Sequence, residues 1–424
     1  MQRRIWRLYL GLLFVTGCWA QTGTHRALTW QETQEKFKAN NPTLLAGQVT
    51  IDESRADEIT AYLRPNPDLT LTTDGTQITP SQGTWRPFAG TLVSPGVSYL
   101  HERRHKRELR LASAQEATEI SISAQSDLER NLMFNLRDAF VRVLQAKAVL
   151  GVARENLEYY DKEIAINRDR FKVGDIAQVD FQRMELQRVQ FESDLQTAMV
   201  NLRTAKIDLL QLLQERTPVD QFDVTENFDF HDSLASLQEL RKLALDTRPD
   251  LKQAEQSLDK AKTDHQLAIA NGSTDPTFSA WWTHNGSFNN PSAFNTLGAS
   301  VSIPLRIFDR NQGDKLHTAL DIGRNEKLRD AAEQTALHDV DSAYATLEST
   351  LQLLRPYKAK YLEEAQAVRS TVSFAYQHGA ASLLDFLDAQ REYRQTELAY
   401  LNLVGSYFSA ANQVNFAVGR EVIR

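Results

Sequence analysis

Two carboxylates, Asp385 and Asp388, have the most suggestive spacing for chemistry in this sequence. They lie three residues apart, and side chains at that spacing project from the same face of a helix. Carboxylates crowded together attract cations and raise one another's pKa. The same spacing fits an ordinary solvated helix face, or acidic residues that interact with the dipole at a helix N terminus. On the residue types alone, the second interpretation is favoured.

Motifs for catalysis and cofactor binding are absent from the sequence. It contains no His-Glu-x-x-His, no Gly-x-Ser-x-Gly and no glycine-rich phosphate loop, and its nine histidines are scattered. His101 and His105 are spaced for one helix face, but the basic residues at 103, 104, 106 and 107 would repel a cation. We therefore expect no enzyme activity, no cofactor and no metal site. We expect this basic cluster to lie near lipid head groups or solvent.

Composition narrows the class of partner. A net charge of −7 leaves no basic footprint, which argues against nucleic-acid binding. Hydrophobic residues make up 42% of the chain, with only 18 glycines and 12 prolines, which is typical of an ordered and mostly helical protein. Cys18 is the only cysteine, so disulfides within the chain and cysteine metal sites are excluded.

The N terminus, over residues 1–20, has the pattern of a secretory signal peptide. Three arginines precede an apolar stretch from Leu8 to Val15, and small residues follow. Cleavage after Ala20 fits ordinary signal peptidase. Cleavage before Cys18 fits a lipobox, in which the cysteine becomes lipidated. Both alternatives predict an exported protein.

The chain contains two tandem copies of one pattern. Four landmarks recur in the same order, shifted by 205 to 209 residues. The paired landmarks are Pro42 with Pro249, Pro67 with Pro276, Gly174 with Gly379, and Asp180 with Asp385. Shared order and spacing favour a duplication over chance matches. The predicted divisions are a first repeat over 21–216, a linker over 217–232 and a second repeat over 233–420.

Each copy offers one β-hairpin, at about 68–100 in the first copy and about 277–305 in the second. The signal is an alternation of apolar and polar residues around a turn-rich segment. Four strands cannot close a membrane barrel, which needs about eight or more. The sheet edges must then be paired between chains, and three chains would supply twelve strands. Aromatic residues near the strand ends fit an interfacial belt or a soluble core: Trp85, Trp281, Trp282 and Phe288.

Long helical hairpins follow the strands, over about 102–214 and about 309–417. Apolar residues at heptad spacing, among them Leu347, Leu351 and Leu354, predict coiled-coil packing. The first helix alone would reach on the order of 100 Å. Glycines at 174 and 379 end one long helix in each copy, and Pro356 predicts a kink or local break.

The duplicated plan, the placement of the hairpins and the twin glycine turns resemble the TolC-like outer-membrane efflux proteins over essentially the whole mature sequence. The segment from Ile303 to Gly313 is similar to the strand-to-helix junction of the CzcC-like heavy-metal-efflux branch. The resemblance implies a mainly α fold with a small β part: long antiparallel coiled-coil hairpins, and four strands per chain in a trimeric 12-stranded transmembrane β-barrel. It also implies a passive outer-membrane conduit with a large periplasmic extension.

The partners that the resemblance implies are two sister subunits of a homotrimer, a periplasmic adaptor and an inner-membrane pump, of the resistance-nodulation-division class. The exported cargo would be small molecules or metal ions. Two alternatives stay open. One is an outer-membrane channel for type I protein secretion, and the other is a soluble periplasmic coiled-coil adaptor or scaffold, which would not contain two β-hairpins.

Site residues also follow from the resemblance. Family members carry a narrowing ring of aspartates six and nine residues after the second turn glycine, where Asp385 and Asp388 stand, so these two are the expected periplasmic gate. Tyr376 and Asp180 match two positions of the latch that holds this gate closed. Ala381 departs from a basic latch residue, so that contact is not carried over. The tips expected to dock onto the adaptor are Val173, Gly174, Asp175, His378, Gly379 and Ala380.

Overall fold

The computed structural model describes residues 27–80, 82–232, 234–285 and 294–423. In the first copy the elements are α1 (Trp30–Asn40), α2 (Pro42–Tyr62), β1 (Asp68–Asp74), β2 (Leu92–Leu100), α3 (Lys106–Lys172) and α4 (Gln178–Leu212). In the second copy they are α5 (Leu237–Thr247), α6 (Pro249–Asn271), β3 (Thr277–Asn285), β4 (Asn295–Ser302), α7 (Gln312–Pro356), α8 (Leu362–Gln377) and α9 (Leu383–Val418). The order of elements is therefore repeated. The one difference is that the long helix α3 of the first copy corresponds to two helices, α7 and α8, in the second copy.

The predicted leader over residues 1–20 lies outside the described residues, and so do Cys18 and Phe288. Among the helices that the structure describes, none has an apolar stretch long enough to cross a membrane.

Short sequence signals set where the helices begin. Pro42 and Pro249 are the first residues of α2 and α6, positions at which a helix needs no N–H. Ser236 and Glu239 form a capping box at the start of α5. The same devices in both copies are what a duplication predicts.

Two boundaries differ from the sequence prediction for backbone reasons. Helix α3 begins at Lys106 rather than near residue 102, because Arg104 and His105 adopt left-handed φ angles of 62° and 55°. Strand β4 ends at Ser302 rather than near residue 305. Pro304 follows, and proline has no N–H with which to continue a ladder of hydrogen bonds.

The four strands form one antiparallel sheet in the order β1-β2-β3-β4. Within the described chain, β1 and β4 are therefore its edges. One side, which we name the hydroxyl face, carries Thr70, Thr72, Ser94, Ser98, Ser279, Thr283, Thr296 and Ser300. The opposite side, the apolar face, carries Leu69, Leu71, Val97, Phe278, Trp282, Leu297 and Val301. Adjacent residues in a strand point to opposite faces, so Trp281 and Trp282 cannot belong to one aromatic belt.

Helix α3 spans 67 residues, about 100 Å at a rise of 1.5 Å per residue. It runs alongside α4 and α9, and α7 packs against α6 and α9. The predicted seam of α7 is confirmed, since Leu347, Leu351 and Leu354 are all buried. Pro356 ends α7, and a π-helical turn over Tyr357–Tyr361 joins it to α8, so the regular α-helix is interrupted directly after the proline.

Three apolar clusters hold the helices together. One lies in the first copy around Phe140, with α1, α3 and α4. A second lies in the second copy around Tyr407, with α5, α7 and α9. A third, which we name the tip cluster, joins the far ends of both helical hairpins.

A buried arginine fixes the second copy where α5 meets α6. The Arg248 side chain is only 2% exposed and pairs with Asp250 at 2.6 Å and with Asp339 at 2.9 Å. It also donates to the carbonyl oxygen of Ala417 at 3.1 Å. This one guanidinium therefore ties the start of α6 to α7 and to the end of α9.

Candidate functional site

The far ends of the two helical hairpins turn in the same way. Gly174 and Gly379 have φ angles of +85° and +75°, in the left-handed region that favours glycine. The N–H of Gly379 donates to the carbonyl of Tyr376 at 3.1 Å, and the N–H of Ala380 donates to that of Ala375 at 2.8 Å. Such bonds satisfy carbonyls left free at the end of a helix. The glycines thus end α3 and α8 and let α4 and α9 return.

The tip cluster packs the two turns into one unit. Its buried members are Tyr160, Ile164, Phe181, Met184, Phe191, Tyr376, Leu383 and Phe386. The ring of Tyr160 stacks on that of Phe191 with centroids 4.5 Å apart, and the ring of Tyr376 stacks on that of Phe386 at 5.0 Å. Because these rings come from both copies, the sequence-predicted site residues of both hairpins lie at the same end of the molecule.

Asp385 takes part in capping the N terminus of its own helix, α9. Its carboxylate accepts hydrogen bonds from the N–H of Ser382 at 3.0 Å and from the Ser382 hydroxyl at 2.7 Å, and its own N–H donates back to that hydroxyl at 3.2 Å. This capping box begins α9. The hydrogen bonds from Ser382 lower the pKa of Asp385, so its carboxylate stays ionised. The side chain is exposed, and its charge remains open to solvent.

Asp388 lies one turn further along the same helix. Its carboxylate pairs with Arg391 at 3.0 Å, and its side chain is 44% exposed. Within one chain the two acids therefore carry two negative charges beside one positive charge. Both stand at the end of α9 nearest to the tip, where the spacing predicted them.

Tyr376 is a packed residue rather than a free one. Its side chain is buried, and its hydroxyl contacts the Met184 sulfur at 3.9 Å. Burial raises the pKa of the Tyr376 hydroxyl. Asp180 is half-buried, and its carboxylate accepts no hydrogen bond from any residue that the structure describes. A latch between these two side chains is thus not made within one chain.

The six predicted docking residues form the exposed surface of the tips. Val173 is 81% exposed, and Gly174, Asp175, His378, Gly379 and Ala380 are exposed as well. Asp175 pairs with Arg170 at 2.6 Å, which fixes the first turn against its own helix.

The sequence reasoning missed Arg170 and Ser382. Arg170 also donates to the carbonyl of Tyr376 at 3.4 Å and so crosses from the first hairpin to the second. No sequence pattern indicates that contact, because the two residues are far apart in the chain. Ser382 did carry a signal, since a serine three residues before an acidic residue is typical of a capping box.

One residue of the basic cluster near His101 differs from the prediction, whereas Arg103 and Arg104 are exposed. Lys106 is buried rather than exposed to head groups or solvent, and it pairs with Asp275. It joins the start of α3 to the segment that leads into β3. Over the residues that the structure describes, no group of three or more histidine, cysteine, aspartate or glutamate side chains could hold a metal ion.

Comparison with known proteins shows which family and which solved structures this chain resembles. The family model described as outer membrane efflux protein matches residues 33–214 and 240–420. The chain is 23% identical to the cobalt-zinc-cadmium resistance protein CzcC of Cupriavidus metallidurans over 397 residues, which covers 93% of this chain and 90% of that protein. Two solved structures have the same fold. The outer-membrane channel OprN has a TM-score of 0.74 at 18% identity over 92% of this chain and 89% of its own, and CusC has 0.75 at 18% over 92% of each.

Paired helical hairpins joined to a small antiparallel sheet are also the fold of these two solved structures. This chain belongs to the outer membrane efflux protein family, whose model covers both copies. The predictions of the fold, of an efflux channel and of an outer-membrane location with a long periplasmic extension are confirmed.

Proposed function

We propose that the chain works as a homotrimer and is the passive outer-membrane conduit of a tripartite efflux system. The observation that carries this proposal is the four-stranded sheet, which has β1 and β4 as open edges within the described chain. Backbone groups without hydrogen-bond partners cost several kcal/mol each in hydrocarbon, so these edges need partners in a bilayer. Three chains supply twelve strands, within the range of closed membrane barrels.

The two faces of the sheet support the same arrangement. Leu71 is 71% exposed and Leu297 is 83% exposed, and both belong to the apolar face. A barrel in lipid turns such a face outward and its polar face toward a water-filled lumen. The hydroxyl face would then line the passage. The helical hairpins would continue the passage as a tube into the periplasm.

The tips would dock onto a periplasmic adaptor, which connects the conduit to an inner-membrane pump of the resistance-nodulation-division class. Val173 supports this, since an apolar side chain that is 81% exposed at the end of a long hairpin is suited to a partner surface. The pump supplies the energy, and the conduit catalyses no reaction. Metal ions or small molecules are the cargo, and the relative named for cobalt, zinc and cadmium resistance favours metal ions.

Asp385 and Asp388 would form the periplasmic gate of this conduit. Three chains bring six carboxylates to one constriction, where they attract cations. In each chain Ser382 orients Asp385 and Arg391 orients Asp388. Tyr376 and Asp180 would form the latch that keeps the gate closed.

Replacing Tyr376 with Phe tests the latch. We expect little loss of stability, because the hydroxyl contacts only the Met184 sulfur within the described chain. A hydrogen bond to a charged group is worth about 1.5–3 kcal/mol, so its loss should raise the open probability about tenfold or more. Single-channel recordings measure this. Tyr159→Phe is the matched control, since that hydroxyl bonds to Ser373 at 3.0 Å inside the chain. Equal behaviour of the two variants would remove Tyr376 from the latch.

Conductance tests the proposed function as a whole. Purified protein added to a planar lipid bilayer should produce discrete current steps without a pump, an energy source or a cofactor. Current steps whose size depends on salt concentration are expected of a water-filled passage. Stable insertion without any current, over a range of voltages, would contradict the proposal.

A further inference from the structure

Among the strand residues that the structure describes, Trp281 is the one large aromatic side chain on the hydroxyl face. The strand register places it in a row with Thr70, Gly96 and Gly298. The row on one side contains Asp68, Ser98, Ser279 and Ser300, and the row on the other contains Thr72, Ser94, Thr283 and Thr296. The hydroxyls of Ser94 and Thr283 are 2.8 Å apart and hydrogen-bond to each other across two strands. An indole therefore stands among small neutral hydroxyls, and the only charged residue of these three rows is Asp68, at the end of the edge strand β1.

Two glycines make room for this indole. A Cβ atom at Gly298 would lie 2.5–2.7 Å from three atoms of the Trp281 ring, and one at Gly96 would lie 3.0 Å from the Trp281 Cβ. Any larger residue at Gly298 would displace the ring. The indole thus lies against β4 at Gly298, and Trp281 also lines a concavity of about 450 Å³. Its lining includes Thr70, Ser98, Ser279 and Ser300.

Fixed charge is nearly absent from the sheet. The four strands contain no lysine, arginine or glutamate, and their two aspartates, Asp68 and Asp74, stand at the ends of the edge strand β1. Neutral hydroxyls replace the water around a metal ion poorly, because a hard cation prefers charged or carbonyl oxygens. An open indole face instead stacks on flat aromatic molecules.

We infer that Trp281 is a cargo-contact residue of the channel wall, and that its indole favours flat aromatic solutes over hydrated cations. This inference rests on the proposed trimer with the hydroxyl face turned inward. Three indoles at one level then form the only large aromatic surface among the described strand residues of that face. Planar organic molecules pause at this level, whereas the Trp281 row itself holds no charged side chain that would retain a metal ion.

Single-channel current with caffeine as the probe tests the inference. Caffeine is flat, aromatic and uncharged, and mannitol is an uncharged aliphatic control. Caffeine should lower the mean current through the unmodified channel, and Trp281→Ala should raise the half-blocking concentration by at least about threefold. Trp282→Ala is the matched control, since its ring lies on the apolar face, and it should behave as the unmodified channel does. Mannitol should not distinguish the three proteins.

Equal caffeine block in the Trp281→Ala and unmodified channels would overturn the inference while leaving the conduit intact. An unmodified protein that never conducts would instead overturn the proposed function. If Trp281→Ala forms no channels, quenching of tryptophan fluorescence tests the inference instead of the current measurement. In a chain with Trp6→Phe, Trp19→Phe, Trp30→Phe, Trp85→Phe and Trp282→Phe, Trp281 is the sole tryptophan, and caffeine should protect it from quenching by aqueous acrylamide. Unchanged quenching in that chain would also overturn the inference.

Discussion

Replacing Asp385 and Asp388 together with Ala is expected to raise the half-blocking concentration of a trivalent cation by about tenfold to a hundredfold. In the proposed trimer this change removes six carboxylates from one constriction. The attraction between each carboxylate and the cation is strong there, because a narrow site excludes bulk water. Single-channel recordings with the cation added from the periplasmic side measure the block.

Ser382→Ala separates the charge of Asp385 from its capping role. This variant loses the hydrogen bonds that begin α9, at a cost of about 1 kcal/mol, but it keeps both carboxylates. Cation block should therefore remain close to that of the unmodified channel. If the cation blocks the double Ala variant at the same concentration as the unmodified channel, the two acids do not lie in the constriction. If Ser382→Ala alone abolishes block, the structure of the helix end matters rather than its charge.

The pH dependence of the block has a defined direction. Within one chain the hydrogen bonds from Ser382 lower the pKa of Asp385, whereas the neighbouring carboxylates of the proposed trimer raise it. Block should be present at neutral pH and disappear as protons neutralise the acids. Without the Ser382 hydroxyl the pKa of Asp385 rises, and block in Ser382→Ala should be lost at a higher pH than in the unmodified channel.

Replacing Arg248 with Met is expected to cause the largest loss of stability, about 3–5 kcal/mol. The change leaves Asp250 and Asp339 without their shared buried partner and leaves the Ala417 carbonyl without its donor. Removing Arg248 leaves the partly buried Asp339 without this partner and leaves Asp250 with only Arg130, at 3.5 Å. Thermal unfolding of the purified protein in detergent measures the loss.

Arg241→Met is the matched control for this prediction. Arg241 pairs with Asp341 at 2.7 Å, also between α5 and α7, but the two side chains are 33% and 40% exposed. An exposed ion pair of this kind contributes about 0–1 kcal/mol. The Arg248 variant should therefore unfold at a clearly lower temperature than the Arg241 variant. Equal shifts in the two proteins would show that burial of Arg248 contributes nothing.

Acid should weaken the same buried contact. Desolvation raises the pKa of Asp250, but the hydrogen bond from Arg248 and the charges of Arg130 and Arg248 outweigh it, and the net shift is downward. A lowered pKa in the folded state means that this contribution to stability is complete at neutral pH. It declines as the pH falls through the folded-state pKa of Asp250.

The sequence predicted the architecture because its signals are local and occur twice. Gly174 and Gly379 could be placed at turns since each sits at the end of an apolar repeat, and a left-handed φ angle there suits glycine. Pro42 and Pro249 marked helix starts for the same kind of reason. Pro356 predicted a break, although its form as a π-helical turn depends on packing around it.

Contacts across the fold could not be read in this way. A helical pattern reports which face is apolar, but it does not identify the partner on another helix. Lys106 appears in a basic run of sequence, yet Asp275, far along the chain, makes it a buried structural residue. The hydrogen bond from Arg170 to the Tyr376 carbonyl likewise joins residues that are far apart in the chain. Trp281 and Trp282 illustrate the limit for strands, where the exact register decides which ring faces which side.

The measurement that tests the central claim most directly is disulfide cross-linking between the two edges of the sheet. Within one chain β1 and β4 are three strand spacings apart, about 14 Å, whereas a disulfide needs Cα atoms within about 7 Å. A chain with Cys in place of Leu71 and of one β4 residue therefore forms this bond only with another chain. The β4 positions to be tried in turn are Leu297, Ala299 and Val301.

Each single-cysteine chain serves as the control, since it can form at most a dimer. If neighbouring chains complete one another's sheet, at least one double-cysteine combination will give a ladder of bands that ends at three chains under non-reducing conditions and collapses to one chain on reduction. Monomer bands alone in every combination, from protein inserted in the membrane, would contradict a barrel shared among three chains.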